Sequence, residues 1–330
     1  MENILSIDHT SDIPKYRQVI NGINAAIAQN KLHFGDALPS VNKLCNKENL
    51  SRDTVVKSYN FLKNQGVIDS VPNKGYYVAK ETRRIFLLLD TFKAYKEVLY
   101  HNFINNLPEN YIVDVQFHHY NPEIFKKLVN DSLGNYSGYV IMPFNNNETK
   151  RVLTKIPKNN LLVIDWDVFN DTTSNVICQD FGSAFFQSME QALPELLKYK
   201  SVHLVYPNYT NHPKIIVTSF KNFCKKYQIK FTVKKGCNDF QVEKNTAFIC
   251  VSERSLGYLL TQCKSNDFEI GKDVGIISYN ETPMKQFIGK GISVISTDFE
   301  LMGKKAAEFI LNNEIAKLTI PTTFIKRSSI

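Results

Sequence analysis

No apolar run in this 330-residue sequence approaches the roughly 18–20 residues that a membrane-spanning helix needs. The longest, Ile85-Phe86-Leu87-Leu88-Leu89, stops at Asp90. The first twelve residues, MENILSIDHTSD, have neither a basic n-region nor a long apolar h-region, so no signal peptide is expected. Cysteine is sparse: six residues, at 45, 178, 224, 237, 250 and 263, with no CxxC pair. That spacing excludes a regular disulfide framework and leaves a reduced, cytoplasmic chain with small buried thiols as the expectation. Enzyme signatures are missing too. No GxGxxG follows a strand, neither Gly271-Lys272 nor Gly289-Lys290 has the earlier glycine of a P-loop, and HExxH and GxSxG do not occur. His118-His119 reads as a surface pair rather than a metal site. Cys178, Cys250 and Cys263 have no adjacent histidine to activate them and read as packing residues. No catalytic residue, no metal and no cofactor are expected.

What is present is enough chain for two domains, with 43% hydrophobic residues and a formal net charge of +8. The charge hints at an anionic partner, but its distribution does not single out one region. Residues 1–80 hold ten basic and seven acidic residues, and most of the excess lies beyond them. Arrangement therefore has to carry the inference.

Within residues 1–80, apolar residues at 3–4 spacing predict a helix over Lys15–Asn30, ending before Gly35-Asp36. Ser40 follows Leu38-Pro39 as the N-cap of a short helix to Asn49 that buries Val41, Leu44 and Cys45. Ser51 caps a third helix, to about Gln65, with the stripe Val55, Tyr59 and Leu62 and with Gly66 as its C′ glycine. The β-prone runs Val67–Ser70 and Tyr76–Val78 flank the turn Val71-Pro72-Asn73-Lys74-Gly75, a hairpin. Helix, helix, tight turn, helix, hairpin is the order of a winged helix-turn-helix. Arg52, Asp53, Thr54 and Lys57 lie off the buried stripe at the start of the third helix. Arg52 there can reach a guanine edge, while Ser40, Ser51, Thr54 and Lys57 suit phosphates. Asn42 lies at the second helix start, and Lys74-Gly75 fits a wing tip. The competing reading makes the serines plain caps and the charges a solvated face; it explains single residues better than the set.

Four motifs in order, Pro14-Lys15-Tyr16, Gly35-Asp36-Ala37-Leu38-Pro39-Ser40, Ser51-Arg52-Asp53-Thr54-Val55 and Gly66-Val67-Ile68, make residues 10–80 resemble GntR-type regulators. Two positions depart from that pattern. Asn42 and Val56 stand where the family often has arginine, which bears on the operator sequence.

From Arg83-Arg84 onward, strands alternate with amphipathic helices. The strands are expected at Ile85–Asp90, Val113–His118, Gly138–Met142, Leu161–Asp165, Ser201–Tyr206, Ile229–Val233, Ala247–Val251 and Val274–Tyr279. Helices are expected at Lys93–Leu107, Pro122–Leu133, Ser183–Lys198, Pro213–Tyr227, Ser252–Lys264 and Phe299–Asn312. The βαβ rhythm gives the fold class: α/β, with two doubly wound, mainly parallel sheets behind the winged helix. Ligands on such sheets bind beyond the carboxyl ends of strands. Those ends carry Asp90 with Phe92, Phe144, Asp165-Trp166, Ser252-Glu253 and Asn280. Carboxylates and amides beside aromatic planes suit a hydroxyl-rich ligand, although Asp and Asn also end strands for turn reasons alone.

Ala247-Phe248-Ile249-Cys250 leading to Ser252-Glu253, the segment Ile270–Glu281, and Ile295–Phe299 with Gly303 and Ala306-Ala307 resemble lactose-repressor-type and periplasmic sugar-binding domains. The likeness covers residues 84–330. A GntR head on such a body resembles arabinose-repressor-like regulators. It implies domains at 1–80 and 85–330 joined by a linker at 81–84. It also implies a ligand pocket that includes Asp90, Asp165, Asn280 and Thr297, with Ile216 in place of the family's arginine. The implied protein is a homodimeric, cytoplasmic repressor of a sugar-utilisation operon that binds double-stranded operator DNA. A monosaccharide effector of L-fucose or L-arabinose type would release it. The alternatives are an activator, a sensor of a non-sugar metabolite, or an autoregulating sugar-acting enzyme using Asp90, Asp165 and Glu253. The expected pocket has no basic residue, which weighs against a phosphate.

Overall fold

The structure is a computed structural model that describes residues 5–29, 31–72, 74–79, 83–144, 147–236, 240–312, 314 and 316–330. Asn73 of the expected wing turn, Cys237, and Glu81-Thr82 of the expected linker lie outside the described residues. Backbone contacts divide the chain into two compact units. One comprises residues 1–87, 108–115 and 131–139; the other comprises residues 88–107, 116–130 and 140–330.

The described residues up to Val78 form α1 (Lys15–Ala28), α2 (Val41–Glu48), α3 (Arg52–Asn64) and the antiparallel pair β1 (Ile68–Val71) and β2 (Gly75–Val78). Both serine caps form. Ser40 Oγ accepts from Lys43 N and Ser51 Oγ from Thr54 N, each at 3.2 Å, so each helix start satisfies an otherwise orphaned N–H. Val55, Tyr59 and Leu62 are fully buried with Val19, Ile23 and Leu44. Val41 and Cys45, expected inside, are only half-buried. Tyr59 reaches past this core to donate its hydroxyl to Pro39 O at 2.8 Å, tying α3 to the turn that enters α2. The chain before that turn pairs with β2, through Ala37 opposite Tyr77 and Leu38 N donating to Tyr76 O. The helices and the hairpin therefore share one core.

Two six-stranded sheets follow. The first comprises β3 (Arg83–Leu89), β4 (Tyr111–Phe117), β5 (Gly138–Ile141), β6 (Leu161–Asp165), β7 (Val176–Gln179) and β13 (Lys317–Ile320), in the order β13-β7-β6-β5-β3-β4. The second comprises β8 (Ser201–Val205), β9 (Phe231–Lys234), β10 (Thr246–Cys250), β11 (Val274–Tyr279), β12 (Ser293–Thr297) and β14 (Thr322–Ile325), in the order β14-β12-β11-β10-β8-β9. Its strands pair in parallel except β14, which runs antiparallel to β12. The helices are α4 (Ala94–Asn105), α5 (Pro122–Ser132), α6 (Asn147–Leu153), α7 (Ser183–Leu196), α8 (Ile215–Lys226), α9 (Glu253–Ser265) and α10 (Phe299–Asn312). Strands β7, β13 and β14 and helix α6 are not marked by the sequence pattern. Each is only four to seven residues long, too short for periodicity to declare.

Register lines up the strand ends. Cys250 stands opposite both Val205 and Ser278, and Asp165 stands opposite Cys178. The residues just past these positions therefore emerge in rows. Of the thiols, Cys224, Cys250 and Cys263 are buried, and burial raises their pKa to about 12, 12 and 11. Cys45 and Cys178 are half-buried, so the expectation of uniformly buried thiols is too strong. His118, expected at the surface, is fully buried and bonds Met142 O through Nε2 at 2.9 Å. No helix among the described residues is long and apolar enough to cross a membrane.

Helix α10 packs closely on α4 because Gly303 has no side chain. A Cβ there would lie 2.4 Å from Leu99 O and 3.0 Å from Asn102 Cβ. Backbone cannot yield as a side chain can, so Gly303→Val should destabilise the fold by about 1–3 kcal/mol. At this chain length thermal unfolding should read that as a fall of several degrees in Tm.

Candidate functional site

Five strand ends of the first sheet and three of the second border one cleft. Asp90, Tyr120, Pro143-Phe144, Asp165-Trp166, Gln179 and Phe181 lie at or past the ends of β3 to β7, while residues 209–213, Val251-Ser252 and Asn280 follow β8, β10 and β11. Lys93 and Tyr95, at the start of α4, complete the lining. Six of the nine expected ligand residues line this cleft: Asp90, Phe144, Asp165, Trp166, Ser252 and Asn280.

Asp165 and Asn280 are set apart by their backbone. Their φ angles are +73° and +60°, left-handed values that Asp and Asn tolerate better than bulky residues. Asp165 accepts from Gln179 Nε2. Burial raises its pKa, against the opposing pull of the Lys96 charge and the Gln179 bond. Gln179 is itself fixed, because its Oε1 accepts from Thr297 Oγ1 at 2.8 Å. Asn280 is 3% exposed, yet its Oδ1 has no partner among the described residues. A buried acceptor left unpaired costs about 1–3 kcal/mol, so this oxygen favours any ligand that brings it a hydroxyl.

Behind the lining lies a layer that the sequence pattern did not assign to the site. Lys96, 1% exposed, forms an ion pair with Asp90, 3% exposed, and Tyr120 donates its hydroxyl to the other Asp90 oxygen. Lys96 lies three residues before Leu99 and seven before Phe103, both fully buried. Its place on the buried stripe of α4 is the signal that could have revealed it. Lys285, also 1% exposed, donates to Asn280 O at 2.6 Å and Tyr279 O at 3.2 Å, and pairs with Glu253 at 2.8 Å. The flanking sequence carries no such signal for Lys285.

Several expectations change. Asp90 borders the cleft, but its carboxylate is consumed by Lys96, Tyr120 and Thr91 N. Glu253 is not in the lining; it holds Lys285. Thr297 is buried and bonded to Gln179 and Thr322, so it supports Asp165 from behind. Phe92 is half exposed and stacks edge-on with Tyr100 and Phe117 outside the cleft. Ile216 lies fully buried in the core rather than beside a ligand, and residues 209–213 take that side of the cleft. The expected absence of a basic residue also fails, because Lys93 lies in the lining. It caps α4 through its backbone alone, and burial lowers its pKa against the field of Glu253.

In the head, the nine expected DNA-facing residues occupy the starts of α2 and α3 and the hairpin. Asn42 and Arg52 meet directly, Arg52 Nη1 donating to Asn42 Oδ1 at 2.9 Å. Both are exposed, as are Ser51, Asp53, Lys57 and Lys74. Ser51 and Thr54 share a hydroxyl contact of 2.8 Å. The Lys57 ammonium lies 4.2 Å above the Tyr16 ring, a cation–π contact that restrains it. Gly75 has φ +95°, and Lys74 N donates to Val71 O, so the tip needs a residue free of Cβ there.

Two results test this geometry. Lys96→Met would leave the Asp90 charge buried and alone, and should cost about 3–5 kcal/mol of stability. Adding Asp90→Asn should restore much of the loss in thermal unfolding. Burial also pushes His118 and His203 down to about 4, and His212 down to about 3. Unfolded histidines take up protons below about pH 6.5 while these stay neutral, so their stabilisation is complete above that pH. It should fall as the pH drops toward 4, by about 1.4 kcal/mol per pH unit for each histidine. The raised pKa of Asp165 acts in the opposite sense. Calorimetry across pH 4–7 should show net proton uptake on unfolding.

Comparison with known proteins adds sequence and fold relationships. Residues 15–78 match the bacterial regulatory proteins of the gntR family, and residues 197–330 match the periplasmic binding protein-like domain. The HTH-type transcriptional repressor YtrA of Bacillus subtilis is 29% identical over 80 residues, which are 24% of this chain and 62% of that protein. The chain thus spans less than two thirds of the curated relatives it matches. Among solved structures, the trehalose repressor of Escherichia coli superimposes with a TM-score of 0.63 at 12% identity, over 74% of this chain and 100% of that one. A LacI family regulator of Enterococcus faecium with bound ribose gives 0.60 at 17% identity, over 75% and 98%. These likenesses show the fold.

Proposed function

The chain joins a GntR-type head to a periplasmic-binding-protein-like body, and on that premise we propose a transcription repressor whose hold on DNA is controlled by a small sugar. The head, residues 1–80, reads double-stranded operator DNA with the starts of α2 and α3 and touches the backbone with the Lys74-Gly75 wing. Residues 81–84 link it to the sensing body. Two copies form a homodimer that reads a near-palindromic operator.

The observation that carries the sensing reading is the unpartnered Asn280 Oδ1 across from Asp165 in one cleft. Asp165 and Asn280 accept ligand hydroxyls, Ser252 adds a hydroxyl of its own, and Trp166 and Phe144 cover a C–H face. Release requires that the sugar bind the DNA-free form more tightly than the DNA-bound form. A coupling of about 1–3 kcal/mol is typical of such systems. L-Arabinose and L-fucose are the first monosaccharides to test. Lys93, whose side chain has no hydrogen bond or ion pair among the described residues, favours a second reading in which the sugar carries an anionic group, so sugar phosphates belong in the same screen.

The test is a thermal-shift screen followed by displacement. A true effector at 100 times its Kd should add about 2.7 kcal/mol of stability. It should also release the protein from a duplex enriched out of random DNA. Asn280→Leu should retain the duplex but no longer respond to the sugar. If no monosaccharide or sugar phosphate both stabilises the protein and changes its DNA retention, the sugar-sensing reading is wrong.

A further inference from the structure

We propose that Asn42 and Arg52 read the operator as one donor-only unit, and that Asn42 is thereby a specificity-determining residue. The inference rests on the head being the DNA reader. The two residues come from different helices, Asn42 as the second residue of α2 and Arg52 as the first of α3. The Ser40 and Ser51 caps fix both helix starts, and the bond from Tyr59 to Pro39 O holds the helices together. On that frame Arg52 Nη1 donates to Asn42 Oδ1 at 2.9 Å. Among the described residues neither side chain has another hydrogen bond or an ion pair, although Asp53 adjoins Arg52 in sequence.

The donor and acceptor inventory then decides what the pair can recognise. A free asparagine reads adenine with both ends of its amide, Oδ1 accepting from N6 and Nδ2 donating to N7. Here Oδ1 already accepts from Arg52, and a base N–H brought to its second lone pair would lie against the guanidinium charge. Asn42 therefore offers a base its Nδ2 hydrogens, and a guanidinium has no acceptor at all. The exposed edge of the pair is therefore a row of donors, and its complement is a row of acceptors. Guanine O6 and N7 meet the Arg52 fork. The adjoining base that faces Asn42 must present an acceptor without an opposing donor, which guanine or thymine does and adenine does not. Asn42 also keeps Arg52 from spreading over alternative rotamers, so it acts on the guanine contact as a positioning residue.

The experiment uses the full chain and selection from a random duplex library at fixed salt, followed by affinity measurements on the enriched duplex and its single-base variants. Wild type should prefer guanine by about tenfold or more at one position, with guanine or thymine beside it. Arg52→Ala should abolish the guanine preference and, by freeing Oδ1, switch the adjoining preference to adenine. Asn42→Asp keeps an acceptor for Arg52 but loses the Nδ2 donors. It should retain guanine and lose the adjoining preference, with affinity lowered evenly across sequences by its charge. Asn42→Ala combined with Arg52→Ala should weaken guanine discrimination no further than Arg52→Ala alone, and should also lose the adenine preference that Arg52→Ala creates beside it. An unchanged adjoining base in Arg52→Ala, or a wild-type preference for adenine at that position, would show two independent readers and overturn the proposal. A wild-type chain that enriches no sequence would instead refute the DNA-reading head. Unchanged thermal unfolding of the three variants would confirm that the exposed substitutions leave the fold intact.

Discussion

The Lys96–Asp90 ion pair is the constraint around which the cleft is arranged. An ammonium and a carboxylate, each almost wholly removed from water, are tolerated only because each supplies the other's counter-charge and the remaining Asp90 oxygen takes the Tyr120 hydroxyl. The pair joins the end of β3 to the first turn of α4, and Tyr120 brings in the end of β4. It also removes Asp90 from direct contact with a ligand. Of the carboxylates expected to meet sugar hydroxyls, that leaves Asp165, whose own charge is set by burial against the field of Lys96.

The second sheet uses the same device with different atoms. Lys285 is as buried as Lys96, but it is satisfied by two backbone carbonyls at the end of β11 and by Glu253 at the start of α9. Its bond to Asn280 O steadies the left-handed turn at Asn280, as the Gln179 bond steadies Asp165 on the first sheet. The left-handed region is costly for most residues. Asp and Asn at these two positions therefore serve both the turn and the polar surface. The turn explanation and the ligand explanation for strand-end Asp and Asn describe one arrangement.

This dual role also explains what could be read from the sequence. The head was legible almost residue by residue, because its caps, its Val55-Tyr59-Leu62 stripe and its Gly75 turn are local signals whose physics acts within a few residues. The strand ends were legible for the same reason, and most of the cleft lining follows from them. The supporting layer was not. Lys285, Gln179 and Thr297 acquire their roles from partners up to 118 residues away, and a lysine before tertiary contacts form looks like surface. Glu253 and Thr297, expected in the pocket, accordingly stand behind the cleft lining. Strands β13 and β14 were missed because a four-residue strand takes its conformation from its neighbours in the sheet rather than from its own pattern.

The two acceptors Asp165 and Asn280 that border the cleft have a mechanical consequence. Asp165 belongs to the first sheet and Asn280 to the second, and both border one cleft. A ligand hydrogen-bonded to both must join the strand ends of two sheets. The strength of that union depends on their separation, because hydrogen bonds weaken steeply beyond about 3.2 Å. A ligand so held has different affinities for arrangements that differ in that separation, and such a difference is the thermodynamic requirement for any ligand to shift a conformational equilibrium. A carboxylate pair on a single sheet could bind a sugar as tightly and would shift nothing, since its contacts would be equal in both arrangements. The withdrawal of Asp90 into its ion pair with Lys96 thus does more than neutralise a buried charge. It leaves the polar atoms that a ligand would meet in the cleft divided between the two sheets, the division that the proposed sensing requires.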